Sequence, residues 1–249
     1  MYYRLCSQGK PLWILIWVDD VLWVGEHADI MRAKQELGHQ FPLKELGPAH
    51  FFLGMKIIRQ PKHRKIILLQ DQYIETVMKR FNFEDAYPVS TPMDPGSRLT
   101  SISESQNPAD ETLYRSILGS MMYLMLCTRP DLAFAIGRLS MYSSNPSTEH
   151  MTAAKRLLRY TSKTRNLGLH FGPYPNGSHP TALIFSDADW AGDTETRRST
   201  GAYVCTLSDG RPNSPHTAIS WSSKQQSTIA LSSTEVESMV LTQACKKAI

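Results

Sequence analysis

No run of about twenty apolar residues occurs in the chain, so its sequence predicts no membrane-spanning helix. Charge of one sign is scarce too. Lys and Arg total 27 against 23 Asp and Glu, a formal net charge of +4. That excess is compatible with a polyanionic partner but does not name one. Cysteine is sparse. Cys6, Cys127, Cys205 and Cys245 lie far apart and show no metal-ligand spacing. They read as reduced core or surface thiols. No secretory leader is read either, because residues 1–10 are polar and the apolar run behind them is broken by Asp19 and Asp20. The expectation is an intracellular protein, not secreted, with no membrane partner.

What the chain has is length and apolar content. Its 249 residues, 41% of them hydrophobic, suffice for one large domain or two small ones. The first strand begins almost at residue 1, which suggests a piece of a longer protein. Near that start stands WILIWVDDVLWV, residues 13–24. Every residue in it is apolar or aromatic except Asp19 and Asp20. Buried carboxylates must be paired or must bind a metal. The flanks read as two strands, 12–18 and 21–24, with the aspartates at the hairpin tip. Carboxylates presented there suit Mg²⁺, which takes one or two of them together with substrate phosphates. On pattern alone the pair reads equally as a plain β-turn.

Helical character follows over 27–40 and a connector over 41–47. Apolar runs 51–59 and 65–69 flank a basic segment, 60–64. This predicts a second hairpin whose tip, with Arg59, Lys62, Arg64 and Lys65, is a solvated turn or a phosphate contact. Asp71 starts a helix with Ile74, Val77, Met78 and Phe81 on one face. Residues 88–110, rich in Pro, Ser and Thr, read as a linker or a surface strap. Three helices come next, from Glu111, from Pro130 and from the Asn145-Pro146-Ser147 opening. The third carries Lys155, Arg156, Arg159 and Lys163 on its polar side, a face that is solvated or meets nucleic acid.

From Leu167 the pattern has the period of strands: 167–171, 182–187, 200–207 and 218–222, with turn-rich connections at 172–180 and 208–215. A final helix, 232–249, opens on a Ser232/Glu235 capping box. Asp187 ends an apolar strand. Glu237 shares a helical face with Val240, Leu241 and Ala244, which predicts that it points at the sheet. Packed on the Leu183/Phe185 face, that helix would bring the two carboxylates together as half of a divalent-metal site. Each also has a plain reading, as a turn aspartate and as a rim glutamate.

Taken in order, these segments carry a resemblance. WVDD (17–20), LKELGPAHFFLGMKI (43–57), PVSTPMDP (88–95), YRSILGSMMYLMLCTRPDLAFAIGRLSMYSSNPSTEH (114–150), KRLLRYTSKTRNLGL (155–169), SDADWAGDTETRRSTGAYV (186–204), ISWSSKQQST (219–228) and ALSSTEVES (230–238) are similar to the polymerase region of copia-type long-terminal-repeat retrotransposon polyproteins. The resemblance implies an α/β (α+β) chain. Residues 1–165 would be the C-terminal part of a reverse transcriptase, a palm hairpin with thumb/connection helices. Residues 166–249 would be the N-terminal half of a ribonuclease H-like domain, an incomplete β-sheet with one helix. It implies two-metal phosphoryl transfer with Mg²⁺ or Mn²⁺, held by Asp19 and Asp20 in one site and by Asp187 and Glu237 in the other. Implied partners are an RNA template, an RNA/DNA hybrid, dNTPs and the remaining parts of the polyprotein. The implied location is a cytoplasmic virus-like particle or the nucleus.

The departures are informative. Trp17 stands where the family's box has Tyr. Ser238 follows Glu237 where the family has an aromatic. The family's further aspartates, upstream of the first site and downstream in the second, have no counterpart in the chain. Two hypotheses follow: a polymerase/ribonuclease H fragment active only within a longer product, or a silent transposon remnant with at most weak RNA/DNA binding.

Overall fold

The computed structural model describes residues 1–5, 9–97, 99–101, 107–174, 180–211 and 214–248. Cys6, Ile249 and parts of the expected segments 88–110, 172–180 and 208–215 lie outside the described residues. Helices and antiparallel strands mix in one chain, as an α/β (α+β) fold requires, and the chain forms two compact units, 1–57 and 58–249.

The first unit is built on a three-stranded antiparallel sheet in the order β1 (Tyr2–Leu5), β2 (Pro11–Trp17), β3 (Asp20–Val24). Its alternating aromatic and β-branched residues favour the pleated conformation. The register sets Tyr2 and Trp23 on either side of Ile14. Helix α1 (His27–Gly38) follows and contributes no buried residue. Leu12 is the one buried residue among those described in this unit.

The expected single run 51–59 is a tight hairpin instead. β4 (Phe51–Phe52) pairs with β5 (Met55–Gln60) across Leu53-Gly54, both at positive φ. Two positive φ values are what a two-residue turn demands if it is to match strand twist. Leu53 disguised the signal, since leucine seldom adopts that conformation. β5 runs across the boundary between the units.

In the second unit, four helices gather around one core: α2 (Asp71–Phe81), α3 (Glu111–Cys127), α4 (Ala133–Ser140) and α5 (Thr148–Lys163). The stripe Ile74, Val77, Met78 is buried as its spacing predicts. The described residues of 88–110 form a strap, not a free linker. Val89, Met93 and Ala109 pack on the core and Leu99 is buried within it. β6 (Lys65–Leu69) pairs with β7 (Leu169–Phe171), which brings the chain back past the helices.

A second three-stranded antiparallel sheet, in the order β10 (Thr217–Gln225), β9 (Thr200–Ser208), β8 (Thr181–Ala188), precedes α6 (Ser233–Ala248). Ser232 caps α6 by accepting from the Glu235 N–H at 3.2 Å, while the Glu235 carboxylate takes the N–H of Leu231 at 2.7 Å. α6 docks through Val236, Val240 and Ala244, all buried. Gly201 makes room for it, because a Cβ there would overlap the Val240 side chain.

Candidate functional site

β2 and β3 close on Val18-Asp19, with Trp17 paired to Asp20. Val18 has φ +51°, a conformation that a β-branched residue adopts only under strain. Such strain is worth roughly 1–3 kcal/mol. Val18 is 83% exposed, so packing on its side chain does not offset that cost. The ladder beneath must hold the turn. Asp19 and Asp20 both face solvent. Neither carboxylate takes a hydrogen bond or ion pair among the described residues.

Two adjacent, unpartnered carboxylates fit one side of a Mg²⁺ or Mn²⁺ oxygen shell. They do not make a whole site. Among the described residues, no group of three or more His, Cys, Asp or Glu could hold an ion.

The second carboxylate pair is not brought together as expected. Gly201 pairs with Ala188 and Ala202 with Asp187. Directly opposed residues share a sheet face and successive residues alternate. α6 lies on the Gly201 face, so Asp187, Phe185 and Leu183 point to the other one. Asp187 is exposed and accepts the Ala188 N–H at 2.9 Å. The buried stripe of α6 is Val236, Val240, Ala244, while Leu241 is 54% exposed and Glu237 is exposed beside it. The expected Val240/Leu241/Ala244 face was rotated by part of a turn. Val236, one helical turn before Val240, was the missed signal.

The basic residues divide into two groups. Arg59, Lys62 and Arg64 are exposed and Lys65 is half-buried, around a single 3₁₀ turn (Pro61–His63) that ends on Arg64 at φ +50°. On α5, Lys155 is exposed, but its neighbours are engaged. Arg156 Nη2 donates to Thr91 Oγ1 at 2.8 Å and Arg159 Nε donates to the Tyr87 carbonyl at 2.6 Å. Both arginines therefore hold the strap.

Two polar centres lay beyond pattern reading. Arg129 is 1% exposed and forks onto Asp131 at 2.9 and 2.8 Å. It also donates to the Thr164 carbonyl and hydroxyl, and the Tyr160 hydroxyl donates to Asp131. Asp193, also buried, accepts from Thr196, Gln225 and the Glu195 N–H, with Arg138 at 3.7 Å. Burial pushes its carboxyl up, yet these hydrogen bonds and the Arg138 charge hold it below the usual range. The signal was the close spacing of acid and base in Thr128-Arg129-Pro130-Asp131 and of acids in the Asp187–Asp193 segment.

Comparison with known proteins adds an independent line. Residues 1–95 match the family described as reverse transcriptase (RNA-dependent DNA polymerase). The whole chain is 41% identical to the Retrovirus-related Pol polyprotein from transposon TNT 1-94 of Nicotiana tabacum and spans 18% of its length. Over 93% of the chain it is 38% identical to the corresponding polyprotein from transposon RE1 of Arabidopsis thaliana, spanning 15% of that protein. An uncharacterized mitochondrial protein of Arabidopsis thaliana is 35% identical over 91% of the chain and 88% of its own length.

Proposed function

The chain belongs to the family of copia-type retrotransposon Pol polyproteins, and on that premise we propose that it is a fragment of an RNA-directed DNA polymerase joined to the start of a ribonuclease H. Residues 1–165 are the polymerase part and 166–249 the ribonuclease H part. In the longer product, element RNA is copied into DNA and the RNA strand is then degraded. One observation carries this reading. Asp19 and Asp20 stand unpartnered at the tip of an apolar hairpin, inside the stretch that matches reverse transcriptases.

In the polymerase reaction Asp19 is the principal metal ligand and Asp20 the second. A bound Mg²⁺ or Mn²⁺ supplies charge stabilisation at phosphoryl oxygens. The strained turn carries Asp19, and Asp20 stands beside it on the last rung of the ladder. Trp17, on the same sheet face as Asp20, offers an apolar surface beside them. Asp187 and Glu237 are this chain's contribution to the ribonuclease H site. They occupy different faces, so no shared ion is assigned to them. The strand–strand–strand–capped-helix order supports that half of the reading. Arg59, Lys62, Arg64, Lys65 and Lys155, with Arg156 and Arg159, contact the backbone of the RNA template or the RNA/DNA hybrid, since phosphate contacts position nucleic acid without reading sequence. The remaining polyprotein and dNTPs complete the partner set. Among the described residues no helix is long and apolar enough to cross a membrane, and the proposed location is a cytoplasmic virus-like particle or the nucleus.

The lack of a three-ligand cluster among the described residues also supports a second reading, a catalytically silent remnant that binds RNA/DNA weakly. Paramagnetic broadening by Mn²⁺ tests the carboxylate assignment without requiring activity. Amide signals around Asp19 and Asp20 should broaden in the wild-type chain and stay sharp in Asp19→Asn. Broadening centred elsewhere, or unchanged in Asp19→Asn, would contradict the assignment.

A further inference from the structure

The segment 84–93 is fixed at both ends and held between them by few hydrogen bonds. Upstream, Phe83 N–H donates to the Met78 carbonyl at 2.8 Å, closing the end of α2. Downstream, the Leu99 carbonyl accepts from Tyr142 Oη at 2.7 Å and from Arg138 at 3.3 Å. In between, among the described residues, hydrogen bonds to the helices come from Arg156 and Arg159 alone. The acceptors, a threonine hydroxyl and a backbone carbonyl, are both neutral. Arg156 Nε is buried and has no acceptor. A guanidinium fork is best matched by an anion that takes two of its donors together, and such charge-assisted bonds are about twice as strong as neutral ones. The strap thus occupies this fork without satisfying it.

Arg156 and Arg159, three residues apart, share one face of α5, and the exposed Lys155 adjoins them. Val89 and Met93 are only partly buried against the core. Their packing keeps the strap closed, and a ligand that lifts it must offset the loss of those contacts.

We propose that segment 84–93 is a displaceable cover on the basic face of α5, and that a nucleic-acid backbone phosphate replaces Thr91 and the Tyr87 carbonyl on Arg156 and Arg159. The proposal rests on the nucleic-acid reading above and adds a gate to it. Binding of the hybrid and opening of the strap are then one equilibrium, so a change that tightens the strap must weaken binding.

The test uses the full chain, a short fluorescent RNA/DNA hybrid and hydrogen exchange. Thr91→Asp gives Arg156 a carboxylate and locks the strap. Thr91→Val removes the acceptor and frees it. Ser90→Asp adds the same charge at an exposed neighbour and serves as control. Circular dichroism verifies that each variant is folded. Thr91→Asp should weaken hybrid binding about fivefold or more, and more than Ser90→Asp does; Thr91→Val should tighten it about threefold. Amides of 84–93 should exchange faster when the hybrid is bound. If the wild-type chain binds hybrid, but the Thr91 variants bind equally well or 84–93 becomes more protected, the gate is wrong and the nucleic-acid reading stands. Absence of binding in every variant overturns both.

Discussion

At His150 one proton decides whether the start of α5 is held. The buried imidazole accepts the Ser147 N–H at Nδ1, 2.9 Å, while the His150 backbone N–H donates to Ser147 Oγ at 3.4 Å. Stacking on Tyr142 at 4.0 Å fixes the ring. An acceptor at Nδ1 cannot carry a proton, so the box needs neutral histidine. Burial accordingly lowers the His150 pKa, while the Thr100 backbone, Glu149 and Glu195 pull the other way. A depressed histidine leaves stability whole above the unfolded pKa near 6.5 and loses it as pH falls from there through the lower folded pKa. Thermal midpoints should therefore drop from pH 7.5 to pH 5 in the wild-type chain. His150→Gln retains a capping box without a titrating group and should shrink that drop to the part left by His170, whose pKa burial and Lys65 also lower; an unchanged slope would place the titration elsewhere. Arg129→Ala should cost about 3 kcal/mol in chemical denaturation, the lower end for a broken buried pair because the Asp131 side chain is 32% exposed. The placement of Asp19 and Asp20 was legible, because two carboxylates between apolar strands have few places to go. Arg129 was legible only in its neighbour Asp131, because Tyr160 and Thr164 join the pair only once α5 has folded back.

Elements were legible where a period ran unbroken, as in α2 and β2. They failed where one residue carried the decision. Leu53 hid a hairpin, and Val236 set the rotation of α6. That rotation can be checked directly. Val240→Ala should destabilise the second unit by about 2 kcal/mol through lost burial and a cavity. Leu241→Ala, at an exposed position, should stay within about 0.5 kcal/mol. The reverse ranking would restore the Leu241 face and turn Glu237 towards the sheet. The strap shows a different limit. Its Pro, Ser and Thr content reads as a connector, yet Leu99 enters the core, because a few apolar residues suffice to anchor an extended segment.

Across the whole molecule, burial is uneven. The first unit has Leu12 as its one buried residue among those described, while Tyr3, Leu5 and Trp17 stand exposed. The second has a continuous helical core. A unit with so little burial opens at low free energy, so amides of 1–57 should exchange well before those of α3 and α5. Equal protection in the two would contradict this. The candidate polymerase carboxylates thus sit on the weaker unit, and among the described residues no third ligand joins them. Two-metal transfer needs both ions on fixed ligands about 3.5–4 Å apart, which Asp19 and Asp20 cannot arrange alone. The decisive measurement is primer extension on an RNA template by the 249-residue chain in Mg²⁺ or Mn²⁺. The predicted result is no extension above the level of Asp19→Asn; extension by the chain alone that disappears in Asp19→Asn would contradict the account.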